Sequence, residues 1–108
     1  MIMVEAFIRP EKVELVLNNL SEHGFVAATR LSVLGRGKQK GIKIKSVYYD
    51  ELPKEMIIMV IEDSDEKQVI DLIIESSKTE SEGAYGDGKI FVSPVSSAYT
   101  ISSGENKL

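Results

Sequence analysis

The sequence predicts an α+β fold in which two β-α-β units form one four-stranded antiparallel sheet with both helices on the same face. Three observations support this prediction. Apolar and other residues alternate with a period of two over residues 2–8, as in a strand. Two segments carry apolar residues at helical spacing, and a continuously apolar run at 56–61 lies between them. The element order, β-α-β, a basic loop and again β-α-β, is that of the ferredoxin-like sandwich.

The two helices have recognisable starts, ends and apolar stripes. Pro10 favours the first turn of helix one, and Gly24 favours its end. His23 precedes that glycine, near the helix C-terminus, where a cation is favoured, so a capping role is expected for it. The acidic run at 63–66 predicts the start of helix two, because carboxylates are stabilised near the positive end of a helix dipole. The predicted apolar stripes consist of Val13, Val16, Leu17 and Leu20 in helix one and Val69, Ile70, Ile73 and Ile74 in helix two.

Strands two, three and four are expected over residues 25–33, 56–61 and 89–92. Two helices on one face leave the other face of the sheet uncovered. The apolar residues expected to contribute to that surface include Ala27, Leu31, Met56, Ile58 and Val60. An apolar sheet face exposed to water predicts self-association, and closed cyclic assembly is its usual form.

Length and composition limit the class of protein. With 108 residues the chain is expected to form a single domain, 1–108, with a loop at about 37–53 and a flexible tail at about 102–108. A net charge of −4 argues against general nucleic-acid binding. The chain has no cysteine, as is usual in a reducing cytoplasm, and no apolar run long enough to insert into a membrane.

Two segments rich in glycine and basic residues suggest a phosphate-binding site. Gly-Asp-Gly-Lys at 86–89 leads directly into a predicted strand, and Gly-Arg-Gly-Lys-Gln-Lys-Gly occupies 35–41. Glycine backbones approach a ligand closely, and successive N–H groups beside a lysine form a cradle for phosphate. Taken alone, the first segment is more simply explained as a tight turn that leads into a strand, with Lys89 solvated, and the second can be a solvated loop.

These two segments, together with residues 8–12, 52–54 and 103–105, resemble those of the PII signal-transduction (nitrogen regulatory) family over nearly the whole chain. The arm between residues 42 and 53 is several residues shorter than usual in that family. In this respect the chain resembles the nitrogenase-associated, short-loop branch.

The resemblance implies a trimer with nucleotide sites between subunits, which bind ATP or ADP and, together with Mg²⁺ and ATP, 2-oxoglutarate. It assigns the phosphate-binding loop to Gly86, Asp87, Gly88 and Lys89, and the second wall of the site to Gly35, Gly37 and Lys38. It assigns the adenine contacts to Thr29 and Val60, the contacts to 2-oxoglutarate to Gln39 and Lys54, and the Mg²⁺ contact to Gln39.

The function implied by the resemblance is regulatory and not enzymatic. A homotrimer, or a hetero-oligomer with a PII paralogue, would sense adenine nucleotide and 2-oxoglutarate in the cytoplasm and control a target protein through the loop at 37–53. In the short-loop branch that target is dinitrogenase, which is inhibited when fixed nitrogen is plentiful, and 2-oxoglutarate relieves the inhibition.

Two departures from the family pattern keep other functions open. Thr100 and Ser102 stand where the family usually has phosphate-binding arginines, and Tyr85 is placed either to stack on a base or to fill the cleft. One alternative function is therefore that of an interaction module which has the same fold but has lost the ability to bind a nucleotide. A small ferredoxin-like enzyme that processes phosphate compounds is a further alternative, with Arg36 as its candidate phosphate-loop arginine.

Overall fold

A four-stranded antiparallel sheet with two helices on one face forms the body of the protein. The computed structural model describes residues 1–36, 42–44, 47–49 and 51–108. The strands of the main sheet are β1 (Ile2–Ile8), β2 (Thr29–Gly35), β5 (Leu52–Ile61) and β6 (Gly88–Pro94), and a small hairpin consists of β3 (Ile42–Ile44) and β4 (Val47–Tyr49). The helices are α1 (Val13–Glu22) and α2 (Glu66–Ser77), each preceded by a short 3₁₀ turn, Pro10–Lys12 and Asp63–Asp65. The predicted ferredoxin-like fold is confirmed.

The sheet has the order β2-β5-β1-β6, and every neighbouring pair is antiparallel. In β1, buried residues alternate with half-buried ones along the whole strand, so one face packs against the helices. A hydrophobic core fills the space between that face and the helices. It contains Ile2, Val4, Ala6, Ile8, Val13, Val16, Leu20, Ile57, Met59, Ile61, Val69, Leu72 and Ile73.

Neither of the two helices in the described part of the chain covers the opposite face of the sheet, as the sequence predicts. By register, Leu31, Met56 and Phe7 lie side by side on this open face. Leu31 is 44% exposed and Phe91 is 54% exposed. The rings of Phe91 and Phe7 pack edge to face, with their centroids 6.0 Å apart. Ala27 was also predicted to belong to this surface, but it precedes β2 and lies outside the sheet. The open face is consistent with self-association, and the trimer remains a prediction.

The end of α1 explains why β2 begins four residues later than predicted. Gly24 adopts a φ of +90° just beyond the helix, and the N–H of Phe25 turns back to the carbonyl of Leu20 at 2.9 Å. Phe25 therefore completes the helix end instead of starting a strand. The ring Nδ1 of His23 lies 2.8 Å from the carbonyl oxygen of Asn19, in agreement with the expected capping role.

Strand β5 is longer than predicted and begins at Leu52. Its first three residues pair with β2 on one side only, because the pairing with β1 ends at Glu55. Pro53 has no N–H, and this one-sided position tolerates it. In α2 the predicted stripe is partly wrong, since Leu72 is buried whereas Ile74 is 42% exposed.

The chain after β6 ends in a closed turn. The N–H of Thr100 donates to the carbonyl of Glu105 at 2.9 Å, and the N–H of Gly104 donates to that of Thr100 at 2.7 Å. A single antiparallel bridge joins Tyr99 to Asn106. The flexibility of the tail at 102–108 stays a prediction. In the predicted loop at 37–53, β3 and β4 pair antiparallel.

Candidate functional site

Residues 78–88, which run from the end of α2 to the first residue of β6, are called the glycine loop, and its last two glycines have conformations that other residues rarely adopt. Gly86 and Gly88 have φ angles of +90° and +125°. A Cβ on Gly88 would lie 1.8 Å from the carbonyl oxygen of Phe7. Strand β1 and the glycine loop therefore approach each other so closely that only glycine fits at position 88.

The carboxylate of Asp87 connects the two ends of the glycine loop. Its Oδ1 accepts hydrogen bonds from Arg9 Nε at 3.0 Å and from Thr79 Oγ1 at 2.7 Å. Its Oδ2 accepts from the backbone N–H of Thr79 at 3.2 Å and from that of Ala84 at 2.8 Å. The side chain is 17% exposed. Asp87 thus ties the start of the loop and the end of β1 to the turn that precedes β6.

These contacts hold the pKa of Asp87 well below its usual range. Burial is the largest single influence and acts in the opposite direction, but the hydrogen bonds from Thr79, Ala84 and Arg9 together outweigh it. The carboxyl group is therefore ionised throughout the physiological pH range.

A pH-dependent stability difference follows from this lowered pKa. Because the folded pKa lies below the unfolded value of about 3.9, the stabilisation is complete above about pH 5 and is lost as the pH falls towards the folded pKa. We expect Asp87→Asn to lower the free energy of unfolding by about 1–3 kcal/mol at neutral pH, and this difference to shrink below about pH 4. Urea denaturation at stepped pH measures it. Asp71→Asn, on an exposed part of α2, is the control, and a difference for Asp87→Asn that persists unchanged at pH 2.5 would contradict the assignment.

Two cationic side chains converge on Gly86. Arg9 Nη2 donates to the carbonyl oxygen of Tyr85 at 2.8 Å, and Lys54 Nζ donates to that of Gly86. These two nitrogens lie 3.2 and 3.8 Å from the position that a Cβ on Gly86 would occupy. Partial burial and then the neighbouring guanidinium of Arg9 lower the pKa of Lys54, and nearby carboxylates only partly offset this. An anion placed between two such cations would be strongly favoured.

The predicted site residues separate into two groups within one chain. Gly35 joins the cluster around Gly86, because a Cβ on Gly35 would lie 3.2 Å from Cγ of Lys54. Thr29 lies at the other end of β2 from Gly35, and Val60 is displaced by the same number of residues along β5 from Lys54. At about 3.3 Å per residue, each is about 20 Å from that cluster. One chain therefore does not bring the predicted adenine contacts to the predicted phosphate loop.

Three of the predicted site residues, Gly37, Lys38 and Gln39, lie outside the described residues. The same holds for the Mg²⁺ contact assigned to Gln39. Within the ranges that the structure describes, no three His, Cys, Asp or Glu side chains are grouped to hold a metal ion.

A cleft of about 850 Å³ lies between α2 and the glycine loop. Asp87, Gly88 and Lys89 border it, whereas the other described candidates do not. Tyr85 stands at the rim and is 87% exposed, so in the single chain it does not fill the cleft. The apolar lining comprises Ile8, Ile70, Ile74, Ala84 and Ile90.

Arg36 does not belong to the glycine loop. Its Nη2 lies 3.4 Å from a carboxylate oxygen of Glu51, in an exposed pair at the other edge of the sheet. Exposed pairs of this kind contribute little to stability. The arginine that contacts the glycine loop is Arg9.

Sequence reasoning missed Arg9 and Thr79. The signal for Arg9 was available, since in the predicted topology the end of β1 lies beside the start of β6, and Ile8 does pair with Gly88. Thr79 carries no comparable signal. It lies in a polar segment, and its role depends on how the chain turns between α2 and Asp87.

The comparison with protein families agrees with this arrangement. The family described as nitrogen regulatory protein P-II matches residues 1–105. The chain belongs to the PII family. The description of that family is of a regulatory protein, in line with the expectation that the chain is not an enzyme. None of the described helices is long and apolar enough to cross a membrane.

Individual PII proteins from methanogens are similar over nearly the full length. The nitrogen fixation nifHD region glnB-like protein 1 of Methanococcus maripaludis (strain S2) is 56% identical over 99 residues, 92% of this chain and 91% of the relative. The protein of the same name from Methanothermobacter marburgensis is 50% identical over 106 residues, 98% of each chain. Nitrogen regulatory protein P-II 2 of Methanothermobacter thermautotrophicus is 40% identical over 107 residues, 95% of this chain and 90% of the relative. The predicted resemblance to the PII family and its branch associated with nitrogen fixation is therefore confirmed.

Proposed function

We propose that the protein senses an adenine nucleotide and 2-oxoglutarate at the glycine loop and controls a target protein through its loop at 37–53. The observation that supports this most directly is the convergence of Arg9 and Lys54 on Gly86. Two cations beside a glycine backbone match a ligand with phosphate or carboxylate groups. The carboxylates of 2-oxoglutarate would be bound by this pair.

The phosphates of ATP or ADP would lie along the glycine loop. Gly86 and Gly88 allow close approach to its backbone, and Lys89 adds a positive charge at the start of β6. Thr29 and Val60 lie too far away to contact the same nucleotide from the same chain. We therefore place the nucleotide between two protomers of a homotrimer or of a hetero-oligomer with a PII paralogue.

Mg²⁺ would be held chiefly by ligand oxygens and by the amide oxygen of Gln39. An uncharged oxygen suits Mg²⁺ when phosphate oxygens supply other ligands. The carboxylate of Asp87 is already engaged by Arg9, Thr79 and Ala84 and does not need to take part. When bound, the ion would neutralise part of the negative charge of the phosphates and of 2-oxoglutarate.

Isothermal titration calorimetry of the full chain tests the sensing function. We expect saturable heats with ATP and with ADP, and binding of 2-oxoglutarate only when ATP and Mg²⁺ are present. GTP serves as the control for recognition of the base. If no combination of these ligands gives heat at high protein concentration, the protein is not a sensor of this kind.

The proposed target is dinitrogenase. The names of two similar proteins place them in a nifHD region, which connects them with nitrogen fixation. The loop at 37–53 contains a small antiparallel hairpin that would contact the target. A ligand changes this contact only if it binds one conformation of the loop more tightly than the other. Dinitrogenase activity, measured with and without the protein and with added 2-oxoglutarate, tests this assignment.

A second candidate function is that of an interaction module without a nucleotide. Thr100 and Ser102 favour it, because they occupy the positions of the family's phosphate-binding arginines and carry no positive charge for a phosphate. Thr100 is held in a closed turn by hydrogen bonds with Gly104 and Glu105. The exposed Tyr85 disfavours it, since none of the residues that the structure describes fills the cleft beside the glycine loop. The calorimetric titration separates the two functions. The enzymatic alternative would require turnover of ATP or an acyl phosphate that Arg36→Ala abolishes.

A further inference from the structure

Thr79 lies in the glycine loop, but neither the composition of the loop nor the resemblance of the chain to the PII family indicates a role for it. Thr79 follows α2 by two positions, and both its N–H and its hydroxyl group donate to Asp87. We propose that Thr79 is a positioning residue for the phosphate-binding loop, and that it acts through Asp87, whose carboxylate organises the loop and does not contact the ligand. This inference rests on the proposed nucleotide site.

The carboxylate of Asp87 has no acceptor capacity left for a ligand. A carboxylate offers about four lone-pair directions. All four are used, by Arg9 Nε and Thr79 Oγ1 on one oxygen and by the N–H groups of Thr79 and Ala84 on the other. A nucleotide hydroxyl or a metal ion would have to displace one of these donors.

The charge of Asp87 is also compensated within the loop. A free carboxylate next to a phosphate group would repel it. Here the guanidinium of Arg9 lies at 3.0 Å, and three further donors face the carboxylate oxygens. Asp87 can therefore lie inside a phosphate-binding loop without weakening it, provided that these donors remain in place.

Thr79 supplies half of the hydrogen bonds that Asp87 accepts, and it closes the loop at its start. Its two hydrogen bonds connect the end of α2 with the residue before β6, across eight positions of the chain. The residue after it, Glu80, has a φ of +59°, a left-handed conformation that is costly for a residue with a side chain. Such a conformation persists only where neighbouring contacts fix it. Two contacts of this kind flank Glu80, namely the hydrogen bonds of Thr79 to Asp87 and that of Lys78 Nζ to the carbonyl oxygen of Ser81.

The test compares Thr79→Val with Thr79→Ser in the full chain. Valine keeps the branched shape and the backbone N–H but loses the hydroxyl hydrogen bond to Asp87. We expect Thr79→Val to weaken ATP binding by about 5- to 10-fold in calorimetry. In the ligand-free protein, amide hydrogen exchange over residues 83–88 should accelerate, while exchange in β1 should stay unchanged. Thr79→Ser keeps the hydroxyl group and should restore both values.

Ser81→Ala is the matched control, because Ser81 is exposed in the same loop and its hydroxyl group makes no hydrogen bond to the residues that the structure describes; its carbonyl oxygen accepts from Lys78. It should change neither measurement. The proposal is wrong if Thr79→Val retains wild-type ATP affinity and wild-type exchange, or if Thr79→Ser fails to restore them. If the wild-type protein binds no nucleotide, the proposed function fails, and the exchange data alone then decide whether Thr79 orders the loop.

Discussion

Replacing Gly88 with alanine is expected to lower the free energy of unfolding by roughly 3–5 kcal/mol. The added Cβ would lie 1.8 Å from the carbonyl oxygen of Phe7, and the φ of +125° is unfavourable for alanine. The clash involves the backbone of a central strand, so no side-chain rotation relieves it. β6 would have to move away from β1, with which it pairs over its full length. Denaturant unfolding followed by circular dichroism measures the loss.

Gly24→Ala is the matched control for this substitution. Gly24 also has a positive φ, +90°, but nothing lies within 4 Å of a Cβ at that position. Only the backbone strain is then added, which costs about 1–2 kcal/mol. If the two variants proved equally stable, the close approach at Gly88 would not be a determinant of stability.

Lys89→Ala is expected to weaken ATP binding by roughly 10- to 100-fold, the effect of losing one charge-assisted hydrogen bond. Lys89 is exposed at the start of β6, directly after Gly88, and it borders the cleft beside the glycine loop. Because the side chain is not part of the core, the variant should fold like the wild-type protein. Calorimetric titration with ATP measures the change in affinity.

Lys67→Ala provides the control for this loss of charge. Lys67 is 88% exposed on α2 and pairs with Asp71 one helical turn away. Its removal changes the net charge by the same amount and should leave ATP affinity unchanged. Equal affinities for Lys89→Ala and the wild-type protein would mean that the nucleotide binds elsewhere.

The fold could be predicted because its signals are local. The alternation in β1 and the continuous apolar run in β5 identify the two central strands, and Pro10 and Gly24 mark the limits of the first helical segment. The errors arose where backbone hydrogen bonds that the apolar pattern does not show decide where an element begins. The N–H of Phe25 donates to the carbonyl of Leu20, so Phe25 belongs to the end of α1 and not to β2. Pairing with β2 makes β5 begin at Leu52, four residues earlier than predicted. Neither effect is visible in the composition of those segments.

The candidate site was predicted less completely than the fold. Glycine and lysine patterns indicate a phosphate loop, and Gly86, Asp87 and Gly88 do lie together. The patterns do not show that hydrogen bonds within the chain already occupy the carboxylate oxygens of Asp87, because the positions of Arg9 and Thr79 must be known first. They also do not show that Thr29 is about 20 Å from Gly35 along the same strand. A site divided in this way becomes evident only once the strand register is known.

The order of the strands also has a consequence for the growing polypeptide on the ribosome. β1 lies between β5 and β6, and β2 pairs only with β5, so both strands of the first half find their partners in the second half. Apart from the hairpin of β3 and β4, no strand pairing of the described chain can form before residue 52 has been synthesised. The last partner, β6, begins only at Gly88, eighty residues after β1 ends at Ile8. The sheet is therefore completed only after β6 has been synthesised, and the apolar first strand remains unpaired until β5 has been synthesised.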